Sequence, residues 1–314
     1  MKKTLIAFSV TALMSTAAAA ETIGYAMSEF NDNWLTIMRN AAVKWAAENG
    51  HELLVEDGQS DLGRQLDQIN NFVATGVDAI VVVPITGDAT QAMTDVASSA
   101  GIPLVFANRI PGNFDTLPDD QAVVASDETE SGTLETFYIC QQLRSAGKVD
   151  GGARAYVLQG QLHHPAGISR TKDVHDVVGM DMCNFIEIID VQVGNWSRNE
   201  AQDIMTNWLT TGDEFDAVIA NNDEMAIGAI LALKAAGVDM DSVLIGGVDA
   251  TPDALQAMAA GELDVTVFQN AAAQGAGSIQ TAIALSRGES VPRFVRIPFE
   301  LVTPDNMDEY IGAN

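Results

Sequence analysis

Along this chain, short apolar runs alternate with longer segments whose apolar residues recur every three or four positions. The apolar runs predict strands at residues 22–27, 52–56, 79–83, 103–107, 122–125, 153–159, 185–192, 217–220, 243–248, 263–269 and 296–302. The periodic segments predict helices at 34–48, 61–75, 88–100, 127–145, 169–178, 197–209, 225–236 and 271–286, with a further helix opening after 249–253. Leu35, Met38, Ala42 and Trp45 share one helical face, as do Leu62, Leu66, Ile69 and Val73. Fully apolar strands alternating with helices imply parallel sheets buried on both faces, with right-handed crossovers. The fold class is therefore α/β. The alternation pauses over 110–121, an irregular stretch holding Pro111, Gly112 and Pro118, and restarts at 153. That rhythm predicts two doubly wound, Rossmann-like units in series, joined near Ala125.

In open sheets of this kind, ligands sit beyond the carboxyl ends of the strands. The stretch 216–255 shows two such ends: 217–220 runs into Asn221, Asn222, Asp223 and Glu224, and 243–248 runs into Asp249, Thr251 and Asp253. Asn222 and Asp249 are thus expected to face one cleft. A polar residue at a strand end is also a ready helix N-cap, and for Asp223 and Thr251, the latter with Pro252 behind it, the cap or fold role is the expectation.

The first twenty residues change the picture of where the protein works. Lys2 and Lys3, the apolar stretch 5–14 and the small residues 17–20 form the pattern of a secretory signal peptide, cleaved before Glu21. No apolar run reaches the roughly 20 residues that a membrane-spanning helix needs. The expectation is a periplasmic protein with no membrane insertion. The remainder is long for one domain and suits two. The formal net charge of −27 argues against nucleic acid and anionic membranes and favours a neutral or cationic ligand. In an oxidising compartment the two cysteines, Cys140 and Cys183, form either a disulfide or two buried thiols.

Enzyme signatures are missing: no GxSxG, no GxxxxGK[ST], no GxGxxG after a strand and no HExxH. His163 and His164 are adjacent, which suits loop residues at a cleft rim better than two ligands on one metal. No cofactor and no metal are expected.

Five segments in order carry a resemblance: 100–109 (AGIPLVFANR), 167–173 (GISRTKD), 221–237 (NNDEMAIGAILALKAAG), 246–255 (GGVDATPDAL) and 266–275 (TVFQNAAAQG). With them the chain resembles the periplasmic sugar-binding proteins of ABC transporters, of the ribose-binding type built on the lac-repressor core. The resemblance spans nearly all of the chain after residue 20. It implies two domains joined by a three-strand hinge near Ala125, Gln269 and Glu300, with one ligand between them. The first domain would take 21–125 plus 270–300, and the second 126–269 plus 301–314. It also implies ligand-binding roles for Asp32, Trp34, Asn108, Arg109, Arg170, Trp196, Asn222, Asp249 and Gln269. The residue types suit a sugar or polyol: carboxylates, amides and guanidinium forks engage adjacent hydroxyls in pairs, and tryptophan rings pack on C–H faces. Taken without the resemblance, Trp34 and Trp196 could equally be core residues, and Arg109 and Arg170 surface ion pairs. Trp45 and Trp208 are expected in the core.

Asn108, Val83 and Val248 depart from the ribose binders and count against ribose itself, and Asn108-Arg109 followed by Pro111, with two tryptophans, resembles members that handle hexoses or cyclic polyols such as myo-inositol. The implied function is a monomeric, non-enzymatic solute-binding protein that closes on a neutral monosaccharide or polyol and presents it to an ABC transporter permease. Two rivals stand beside it. One is a ligand-sensing subunit for a chemoreceptor or sensor kinase. The other is a periplasmic glycosidase using Asp32, Asp127 or Asp249 as paired acids.

Overall fold

A computed structural model describes residues 20–314, so the expected signal segment, apart from Ala20, lies outside the described residues. The strands are β1 (Thr22–Met27), β2 (Glu52–Asp57), β3 (Ala79–Val82), β4 (Leu104–Ala107), β5 (Gln121–Ala125), β6 (Ala153–Gln159), β7 (Ile186–Val193), β8 (Ala217–Ala220), β9 (Leu244–Gly246), β10 (Thr266–Gln269), β11 (Phe294–Arg296) and β12 (Phe299–Val302). The helices are α1 (Asn33–Glu48), α2 (Leu62–Thr75), α3 (Thr90–Ala100), α4 (Glu128–Ser145), α5 (Pro165–Val178), α6 (Arg198–Thr211), α7 (Asp223–Ala235), α8 (Pro252–Ala259) and α9 (Ala271–Ser286).

One sheet has the order β11-β5-β4-β3-β1-β2 and the other β7-β6-β8-β9, and every pair within them is parallel. Beside β9 lies an antiparallel pair, β10 and β12, reached through the bridges Gly246–Val265 and Asp249–Phe268. Each sheet reverses its strand order once, between β1 and β3 and between β6 and β8. A doubly wound sheet opens a crevice at such a point, outside the strand ends. The protein is a two-domain α/β structure. The completely apolar strands β3, β4 and β8, and residues 122–125 of β5, are buried along their whole length, which explains why they read as unbroken runs rather than alternations.

The chain passes between the sheets three times. After β5, helix α4 packs on β8, β9, β10 and β12. After β10, helix α9 returns to pack on α1, β3, β4 and β5. The third passage corrects the sequence reading. The single strand expected at 296–302 is two strands: β11 pairs with β5 of the first sheet and β12 pairs with β10 of the second. Pro298 lies between them and can donate no ladder hydrogen bond, so the apolar run breaks there. The α1–α9 contact depends on Gly275, where an added Cβ would lie 2.2 Å from the Met38 carbonyl oxygen.

Helix α5 begins at Pro165, four residues earlier than its apolar spacing suggests, because Pro165 occupies the first turn with His164 as N-cap. Trp208 is buried and stacks on Tyr156 with ring centroids 4.3 Å apart, while Trp45 is half-buried and stacks on His51. Cys140 of α4 and Cys183 are joined in a disulfide with their Cα atoms 5.7 Å apart.

That cross-link closes a loop of 43 residues around β6 and α5. Closing such a loop restricts the unfolded chain, and removing a native disulfide commonly costs about 2–5 kcal/mol. Denaturant unfolding of the Cys140→Ala/Cys183→Ala variant should show a loss in that range, whereas unchanged stability would leave the cross-link without a stabilising role.

Candidate ligand-binding site

The carboxyl ends of both sheets face one another across a cavity. All nine residues named from the sequence line it: Asp32, Trp34, Asn108, Arg109, Arg170, Trp196, Asn222, Asp249 and Gln269.

From the first domain, Asp32 caps α1, its Oδ1 accepting from the Leu35 N–H at 2.7 Å, which leaves Oδ2 for the cavity. Trp34, two residues on, is buried and donates its indole N–H to the Gln269 carbonyl at 2.9 Å, across the gap between domains. Asn108 ends β4 at φ 66°, a left-handed turn that asparagine tolerates. It aims Arg109 back under the sheet, where Nη1 donates to the Pro84 and Ile85 carbonyls at 2.8 and 3.1 Å. Burial pulls the Arg109 guanidinium down to about 10 against the opposing pull of Asp32 and Glu29, so it stays charged at neutral pH.

From the second domain, Arg170 is 3% exposed and fully engaged. Nε donates to Glu128 Oε2 at 3.0 Å, Nη1 to the Asn221 carbonyl at 2.7 Å and Nη2 to Gln269 Oε1 at 3.2 Å. Burial opposes its charge, but Glu128 and Asp249 outweigh that and hold it above its ordinary value. Asn222 proves to be cap and cavity residue at once. Its Oδ1 accepts from the Met225 N–H at 3.1 Å while its side chain lines the cavity. Trp196 sits at φ 64° with its ring laid on Gly160, where an added Cβ would stand 2.1 Å from the indole. Glycine at 160 is therefore required for the ring's position. Asp249 is 4% exposed. Arg170 Nη1 stands 4.0 Å away, and no hydrogen-bond donor among the described residues reaches the Asp249 carboxylate. Burial drives its carboxyl well above the usual range, with Arg170 opposing.

The polar groups around the cavity are incompletely paired. Arg109 Nε, Trp196 Nε1 and Gln269 Nε2 are buried donors without a partner. A buried donor left unpaired costs about 1–3 kcal/mol. The three donors belong to residues that line the cavity beside the Asp249 carboxylate, and such a lining suits a ligand that carries several hydroxyls, each both donor and acceptor.

Leu35, Ala166 and two polar residues, His164 and Glu128, complete the lining. His164, expected on the rim, is 7% exposed and lines the cavity. Its Nδ1 accepts from the Ala166 N–H at 3.0 Å, which assigns the ring proton to Nε2. Burial, followed by Arg109 and Arg170, keeps it well below its ordinary range and therefore neutral. The signal was present in Pro165, which marks the preceding residue as an N-cap. Glu128 is one of two acids in the first turn of α4, and it is the carboxylate that pairs with Arg170. Conversely, Val83 and Val248 are wholly buried in core clusters and line no part of the cavity, so they do not shape the ligand directly. Asp127 only caps α4, accepting from the Thr129 N–H.

Residues 23–290 match the model of the periplasmic binding protein domain. The chain belongs to the periplasmic binding proteins. Among its relatives, a Rhizobium meliloti protein named for rhizopine binding is 55% identical over the whole of both chains. A D-galactose/methyl-galactoside binding periplasmic protein of Haemophilus influenzae is 31% identical over 99% of this chain and all of its own. An ABC transporter solute binding protein of Bacillus halodurans, solved with bound myo-inositol, superposes with a TM-score of 0.85 at 36% identity, covering 96% of this chain and 100% of its own. Members of the family bind substrates rather than convert them, which sets the glycosidase reading aside.

Beneath the cavity, Asp223 braces the turn that carries Asp249. Its Oδ2 accepts from the Thr251 N–H at 2.8 Å and its Oδ1 from the Thr266 hydroxyl at 2.7 Å. Burial pushes its carboxyl up to about 7, from an ordinary 3.8, with the Thr266 and Thr251 hydrogen bonds opposing. Between those values the folded protein holds a proton that the unfolded chain has released. Its contribution to stability therefore declines as pH rises through that window and levels off above it. Relative to Asp223→Asn, the unliganded wild type should gain on the order of 1–2 kcal/mol between pH 7.5 and 5.5. A difference that does not vary with pH would mean that Asp223 titrates in the ordinary range.

Proposed function

We propose that this chain is exported to the periplasm, binds a neutral monosaccharide or cyclic polyol in the cavity, and delivers it as a monomer to an ABC transporter permease. The observation that carries this reading is that three residues with a buried, unpartnered donor, Arg109, Trp196 and Gln269, line one cavity together with Asp249. A hydroxylated ring satisfies all of them, and an isomer that leaves one unpaired is rejected strongly. Glu128 pairs with Arg170, and Asp32 and Glu29 act on Arg109, so neither guanidinium stands without a nearby carboxylate. The relatives named for rhizopine and galactose, and the one solved with myo-inositol, support ring-shaped polyols and hexoses as the ligand class. All nine residues named from the sequence are assigned to ligand binding, with His164 and Glu128 added.

The moving parts are assigned from the three passages of the chain. The first domain takes residues 21–125 and 270–297, and the second takes 126–269 and 298–314. Bending at the passages opens the cleft. Closure is supported by contacts across the gap: Trp34 to the Gln269 carbonyl at 2.9 Å, and at the rim Asn33 Nδ2 to Glu224 Oε1 at 2.8 Å. Arg198 holds that Glu224 in place with a two-point ion pair.

The test is thermal unfolding of the mature protein with myo-inositol, rhizopine, hexoses, pentoses and amino acids. A ligand at about 100 times its Kd stabilises by about 2.7 kcal/mol, a rise on the order of 2–4 °C per kcal/mol for domains of this size. One polyol or sugar should give that rise, and Arg109→Ala and Asp249→Ala should abolish it. A rise with an amino acid alone would overturn the ligand class.

A further inference from the structure

The Asp249 carboxylate faces the cavity only because its backbone takes an unusual path. Asp249 has φ 127° and Ala250 φ 52°, two successive non-glycine residues in the left-handed half of backbone space. Such conformations persist only where the surroundings hold them. From below, the Thr266 hydroxyl accepts from the Ala250 N–H at 3.2 Å and is itself anchored on Asp223. From the other side the turn is held by a residue far away in sequence, Asn314.

The Asn314 side-chain amide makes three bonds. Nδ2 donates to the Asp249 carbonyl at 2.7 Å and to the Gln269 carbonyl at 3.0 Å. Oδ1 accepts from the Ala271 N–H at 3.0 Å, one of the free donors of the first turn of α9. One planar amide therefore ties together the turn carrying Asp249, the end of β10 carrying Gln269, and the start of the helix that returns to the first domain. The Gln269 carbonyl also receives the Trp34 indole from that first domain, so the same oxygen joins the tail to the wall of the cavity. The tail is set for this task. Tyr310 is buried with its hydroxyl on Glu300 Oε2 at 2.9 Å, and Ala313 packs against the core of the second domain.

We infer that Asn314 is a positioning residue for ligand binding, its amide fixing the backbone at Asp249 and Gln269 so that both side chains converge on the cavity. It touches no ligand itself. The inference rests on the cavity being the polyol site proposed above.

Two measurements test it on the full mature chain. The first is calorimetric titration with myo-inositol, alongside unfolding of the unliganded protein. Asn314→Ala should weaken binding about tenfold while the unliganded Tm stays near that of the wild type. Asn314→Asp, of the same shape, should bind more weakly still, because it sets a carboxylate oxygen against two carbonyls. Wild-type affinity in both variants, or an affinity loss matched by a general loss of stability, would overturn the assignment.

The second measurement needs no ligand: hydrogen–deuterium exchange across the unliganded protein. Asn314→Ala should raise exchange about tenfold at the amides of 249–251 and 269–271 and leave the strands of both sheets unchanged. Unaltered exchange at those amides would overturn the proposal even if the wild type bound no polyol at all, an outcome that would by itself count only against the ligand class.

Discussion

A guanidinium buried to 3% exposure in the wall of the cavity must be compensated on every side, and Arg170 is the constraint on which the second half of this structure depends. Its partners come from separate elements: Glu128 opens α4, the Asn221 carbonyl ends β8 and Gln269 ends β10. Asp249 stands 4.0 Å off at the end of the β9 turn. Each contact fixes one wall of the cavity. Removing a single partner of a buried charge typically costs about 3–5 kcal/mol, because the remaining charge stays buried without an answer. The Arg170 guanidinium also lies 5.8 Å from the Trp196 ring centroid, so the charge that organises the polar wall supports the aromatic one as well.

The cavity is polar because its elements are strained and capped there, while the rest of each sheet is uniformly apolar. Asn108, Trp196 and Asp249 all have positive φ at the ends of strands or loops. Each such residue costs on the order of 1–3 kcal/mol, a penalty that the surrounding bonds must hold in place. The Asp223–Thr251–Thr266 network and the Gly160–Trp196 contact do this at two of the positions. The donors and acceptors around the cavity are thus pre-aimed, and the ordering they require is met before a ligand arrives.

Much of this was legible in the residues. Continuous apolar runs such as 79–82 and 217–220 announced buried parallel strands, and polar clusters at their ends marked the cavity, because a doubly wound sheet gathers its strand ends. What stayed hidden was hidden for physical reasons. The run 296–302 reads as one strand, since period and composition do not reveal that Pro298 sends its halves to different sheets. His164 reads as a loop residue until its capping bond to Ala166 turns it inward. Glu128 sits among other acids at a helix start, and only the fold distinguishes the one that meets Arg170. Val83 and Val248 looked informative about the ligand, yet their side chains point into the cores.

The central claim is that the unpartnered groups around the cavity are the imprint of a hydroxylated ring. It is tested most directly by a crystal structure of the protein grown with myo-inositol, or with whichever polyol or sugar raises the Tm. The account predicts ring oxygens within about 3.2 Å of Arg109 Nε, Trp196 Nε1, Gln269 Nε2 and the Asp249 carboxylate, with the two tryptophan rings against the ring's C–H faces. A ligand seated elsewhere, or one in the cavity that leaves those donors unpaired, would contradict it.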